Sequence, residues 1–129
     1  MLYTLQVHSS PYADNSGLHA YRFACAVLAA GHRIERIFFY KDGVYHAFRY
    51  ATPPDDEIAF NQLWSELAAQ HAIDLVVCVS AAQRRGLLGV DEAQRQGKQD
   101  NDLAAGFRIG GLGLWLEAVA QAERSLVFC

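Results

Sequence analysis

Ile73-Asp74-Leu75-Val76-Val77-Cys78, running through Val79 into Ser80-Ala81-Ala82-Gln83-Arg84-Arg85, decides how this chain is read. The first six residues are short, mostly apolar and rich in β-branched side chains, the pattern of a strand buried on both faces. The next six carry the small and unbranched side chains of a helix. A strand passing directly into a helix is the repeating unit of a parallel α/β sheet. The junction falls at Cys78. Free N–H groups and the positive end of the dipole gather at a helix N-terminus, so the position suits a reactive cysteine. A core cysteine is the competing reading, because cysteine is among the most buried residue types and Val-Val-Cys-Val also fits an interior strand.

Outward from this segment the same alternation continues. Leu2 to Val7 reads as a first strand, followed by the turn-rich loop His8 to Gly17. Leu18, Tyr21, Cys25 and Leu28 then recur at helical spacing on one face, which predicts a helix stopping near Gly31 with Cys25 in the core. Ile34 to Tyr40 reads as a second strand. Asp42-Gly43 suggests a hairpin into Val44 to Phe48, with a functional loop at a strand end as the alternative. Pro53-Pro54-Asp55-Asp56-Glu57 marks the start of a further helix to about His71, with acidic residues in its first turn. After Arg85, a helix is expected over Val90 to Gly97, a strand around Phe107 to Ile109, a helix from Leu112 to Ala122 and a last strand from Ser125 to Phe128. The expected fold is an α/β domain spanning residues 1–129, a parallel sheet flanked by helices, with reactive groups at the carboxyl ends of strands.

Composition narrows the function classes. The 129 residues are 52% hydrophobic and 19% charged, which suits one folded domain without extensive disorder. Met1 to His8 lacks a basic leader and no apolar run reaches membrane-spanning length, so a cytoplasmic protein without membrane contact is expected. Three dispersed cysteines, Cys25, Cys78 and Cys129, offer neither a CxxC motif nor a disulfide framework. A net charge of −3 disfavours direct nucleic-acid binding. Arg84-Arg85 is too small a basic cluster to change that.

Other chemical readings are weaker. Gly110-Gly111-Leu112-Gly113 lacks the third glycine of a dinucleotide fingerprint and the Lys-Ser/Thr of a P-loop, leaving tight helix–sheet packing as its better reading. His8, His19, His32, His46 and His71 lie on separate elements without ligand spacing, and none is singled out as a catalytic partner. Asp14, Asp42, Asp55, Asp56 and Glu57 are explained by turn or helix-start chemistry. Tyr45, Phe48, Tyr50 and Trp115 suit an interface or a core equally.

The segments Phe38 to Tyr45, Val77 to Gly86 and Gly106 to Gly113 together resemble the TusD/DsrE family of sulfurtransferase subunits, over the full length of the chain. That resemblance implies a flavodoxin-like, DsrE-like fold and a heterohexamer with TusB-like and TusC-like subunits. It implies that Cys78 accepts sulfane sulfur as a persulfide from a TusA-like donor and passes it to a TusE-like acceptor, toward 2-thiolation of the tRNA wobble uridine. No metal or organic cofactor is implied. It also turns the Asp42-Gly43-Val44 reading from a hairpin to a loop beside Cys78, and gives Cys25 and Cys129 no relay role. Small residues Ser80, Ala81 and Ala82 would admit a partner's cysteine, while Arg84 or Arg85 would add positive potential if directed inward. A non-catalytic assembly subunit and a DsrE-like role in dissimilatory sulfur oxidation are the alternatives.

Overall fold

The computed structural model describes residues 1–129. Five parallel strands, β1 (Leu2–Val7), β2 (Arg33–Phe39), β3 (Asp74–Cys78), β4 (Phe107–Gly110) and β5 (Arg124–Phe128), form one sheet in the order β4-β3-β2-β1-β5. The chain steps one way across the sheet from β1 to β4 and doubles back in its last crossover. Right-handed connections therefore place α1 (Ser16–Ala29), α2 (Phe60–His71), α3 (Val79–Arg84) and α4 (Val90–Arg95) on one face, and α5 (Leu112–Gln121) on the other. This is the flavodoxin-like sandwich of a parallel sheet between helical layers.

The strand pleat sorts the two faces by polarity. Toward the helix-rich layer point Leu5, Val7, Ile37, Phe39, Leu75, Val77 and Phe107, and Phe39 meets the ring of Trp64 at 5.5 Å. The α5 face carries Thr4, Gln6, Arg36 and Asp74 as well as Phe38, whose ring lies 6.3 Å from that of Trp115. Arg36 is buried there and donates to Asp74 at 2.6 Å and to the Leu114 carbonyl at 2.7 Å, so α5 is fixed by polar as well as apolar contacts.

Three sequence readings are corrected. In α1 the fully buried residues are Gly17, Ala20, Ala24 and Val27, while Leu18, Tyr21, Cys25 and Leu28 are only half-buried. Small side chains let the helix approach the sheet closely and the larger ones flank the contact. The helix stops as expected, with Gly31 at φ +86° accepting a left-handed conformation that costs other residues more. Lys41–Ala47 forms a 3₁₀ turn, not a hairpin. The third correction concerns Pro53 to Ala59, which stay irregular, with α2 beginning at Phe60. Asn61 holds that approach in place by donating to the carbonyls of Phe48, Arg49 and Ala51.

Candidate functional site at the carboxyl end of the third strand

Cys78 is the last residue of β3 and the N-cap of α3. The strand ends there because its pairing with β4 ends with Cys78 against Gly110, and the chain turns directly into helix at Val79. The first N–H groups of such a helix lack partners within it. Cys78 itself is buried, with 3% of its surface exposed. Of the three small residues that follow, Ser80 is exposed, whereas Ala81 and Ala82 pack into the core. Only Ser80 therefore offers an approach, a correction to the expected open surface.

The 3₁₀ turn after β2 packs against both β3 and α3. Gly43 makes this possible: a Cβ there would stand 2.0 Å from the carbonyl oxygen of Val7, so any other side chain would push the turn off the end of β1. Across the gap Arg85 donates to the Asp42 carboxylate at 2.9 Å and to the Ala81 carbonyl at 3.0 Å. The guanidinium is thus paired with a carboxylate of the turn after β2. Arg84 is exposed. The loop of Asp42, Gly43 and Val44 sits on the α3 element that follows Cys78, as the loop reading expected.

Beneath the turn lies His46, a residue sequence reasoning did not single out. Its ring is fully buried, donates from Nε2 to the Ser9 carbonyl at 3.1 Å and accepts at Nδ1 from the Trp64 indole at 3.1 Å. Burial pushes its pKa down to about 4, so the imidazole is neutral at physiological pH. One side chain thereby ties the loop after β1, the 3₁₀ turn and α2 together. The only sequence signal was a histidine in an otherwise apolar stretch, which reads equally well as surface.

Two clefts border these elements. One of about 470 Å³ begins at Val79 and runs between α3, α4 and β4, lined by Leu87, Val90, Phe107 and Ile109. Another of about 610 Å³ follows the outer side of the 3₁₀ turn, where Tyr12, Tyr45 and Tyr50 are exposed around Pro11 and half-buried Phe48. The glycines after β4 serve packing: a Cβ on Gly110 would stand 2.3 Å from Leu114 and 2.9 Å from Val76.

The chain shares 47% identity with DsrE of Allochromatium vinosum, covering 99% of this chain and 98% of that one. It is 41% identical to a protein named sulfurtransferase TusD homolog from Vibrio parahaemolyticus, over 99% and 98% of the two chains. It is also 41% identical to the sulfurtransferase TusD of Serratia proteamaculans, over 98% of each. The crystal structure of the ychN protein from E. coli has the same fold, with a TM-score of 0.77 over 99% of this chain and 100% of that one at 21% identity. The DsrE/DsrF-like family pattern runs from residue 1 to residue 128, and the chain belongs to that family.

Proposed function

We propose that this protein is a sulfurtransferase subunit whose Cys78 carries sulfane sulfur as a persulfide. The observation that carries the proposal is the placement of Cys78 at the carboxyl end of a central parallel strand and at the start of a helix, in a chain related to proteins named sulfurtransferases. The Cys78 thiolate attacks the outer sulfur of a donor persulfide; the donor's S–S bond breaks and its electron pair leaves with the donor thiolate. An acceptor thiolate then takes the same outer sulfur and returns Cys78 to its starting state. No net oxidation occurs. Burial of Cys78 shelters the persulfide from water between the two exchanges, so each exchange needs a local displacement of the α3 start or of the 3₁₀ turn.

In this reading the donor is TusA-like, the acceptor TusE-like, and the chain works in the cytoplasm in a heterohexamer with TusB-like and TusC-like subunits, supplying sulfur for 2-thiolation of the tRNA wobble uridine. The tRNA is not contacted by this acidic chain. Likeness to DsrE favours a second reading, the same persulfide step in dissimilatory sulfur oxidation. Sulfur transfer through the assembled complex is the test. Cys78→Ser is expected to abolish it, and full transfer by that variant would reduce this chain to an assembly subunit.

A further inference from the structure

The outer side of the 3₁₀ turn carries an aromatic surface separate from Cys78. Tyr12, Tyr45 and Tyr50 are 50%, 39% and 63% exposed, and they line one cleft with Pro11, Phe48 and Asp102. Each ring is held in place. Tyr12 donates its hydroxyl to the Ile58 carbonyl at 2.7 Å and meets Phe60 edge-on at 5.8 Å. Tyr45 stacks on Phe48 at 5.2 Å, and Tyr50 donates to the Asp100 carboxylate at 2.6 Å. Exposed rings that are already fixed lose little freedom when a partner covers them, which is what a binding anchor requires.

The same rim shows what chemistry suits it. The Arg49 guanidinium lies 4.7 Å from the centre of the Tyr50 ring and pairs with the Asp100 carboxylate, so one cation already sits between an aromatic face and an acid. Asp102, two residues on, is half-buried in the cleft and belongs to none of the chain's ion pairs. Beyond Tyr12 and Pro11 an adjoining cleft of about 320 Å³ adds Asp14, Asp56 and Glu57. No lysine or arginine lines either cleft. Tyrosine faces beside carboxylates that have no cation of their own attract a cation carried on an apolar stem, through cation–π attraction and charge together.

We infer that this cleft docks a segment of a partner protein that presents arginine or lysine among apolar residues, its cation lying against the tyrosines with its charge toward Asp102. The apolar neighbours of that cation cover Pro11 and the Tyr45–Phe48 stack. The inference does not rest on the persulfide role of Cys78, and Cys78→Ser is expected to bind such a segment as wild type does.

The test measures fluorescence anisotropy of a labelled peptide of leucine and arginine, and of its counterpart with glutamate in place of arginine, against the purified full chain. The arginine peptide is expected to bind saturably and the glutamate peptide not to bind. Asp102→Asn, which keeps the side-chain shape, and Tyr45→Leu, which keeps apolar contact but removes the aromatic face, should each weaken binding about fivefold. Glu35→Gln, at the amino end of β2, should leave it unchanged. Equal binding of both peptides would mean an apolar groove without preference for a cation and would overturn the inference. So would the absence of binding, or an equal loss in Glu35→Gln, which marks attraction to the acidic chain as a whole. Self-association in sedimentation that Tyr45→Leu abolishes would make a second copy the occupant and overturn it as well.

Discussion

Arg85 reaches from the end of the helix behind Cys78 to the Asp42 carboxylate at 2.9 Å, joining the loops that follow β2 and β3 into one rim. The pair is partly exposed, so its worth in stability is below about 1 kcal/mol. Its consequence is positional. Asp42→Ala should leave the unfolding midpoint almost unchanged but raise the rate of Cys78 alkylation several-fold, read by peptide mass spectrometry. An unchanged alkylation rate would show that the clasp does not restrict access.

His46 gives the fold an acid-sensitive joint. Its folded-state pKa of about 4 lies below the ordinary 6.5, so the unfolded chain binds more protons between those values. Stability from this residue is complete above about pH 6.5 and declines as pH falls toward 4, by on the order of 3 kcal/mol. Denaturant unfolding of wild type and His46→Gln across that range should show the extra slope in wild type alone. Parallel pH profiles would remove His46 as its source.

Gly43 admits no side chain without movement, since the obstructing atom is backbone. Gly43→Ala is expected to cost about 2–3 kcal/mol and lower Tm on the order of 10 °C. Calorimetry checks this, and an unshifted Tm would mean that the turn relaxes freely.

Asp74 accepts hydrogen bonds from Arg108 and from buried Arg36, and these guanidiniums, Arg108 foremost, hold its carboxyl below the ordinary carboxylate pKa. Asp74→Ala leaves Arg36 the Leu114 carbonyl at 2.7 Å and the Glu117 carboxylate at 3.6 Å but removes its shortest partner, and should cost about 2 kcal/mol. Adding Arg36→Met should recover part of that loss in a double-mutant cycle; strict additivity would show that the two residues do not depend on each other.

The alternation of strands and helices was legible because each element carries its own period, and Cys78 at a strand–helix junction was legible for the same reason. What escaped depended on distant partners. Asp42-Gly43 looks like a hairpin until Val7 is placed against Gly43. Pro53-Pro54 followed by acids looks like a helix start until Asn61 is seen gathering three carbonyls from the preceding segment. The apolar spacing of Leu18, Tyr21, Cys25 and Leu28 marked the right helix but not its innermost stripe, which went to alanines that bring backbone and sheet together. Arg85 with Asp42, and His46 with Ser9 and Trp64, join residues far apart in sequence, so no local pattern announces them.

The most direct measurement of the central claim is peptide mass spectrometry of the assembled complex after exposure to a persulfide-loaded donor protein, comparing wild type with Cys78→Ser. The account predicts a gain of one sulfur on the peptide containing Cys78, absent from the variant and lost again when an acceptor thiol is added. Sulfur on Cys25 or Cys129 in place of Cys78, or none anywhere in this chain, would contradict it.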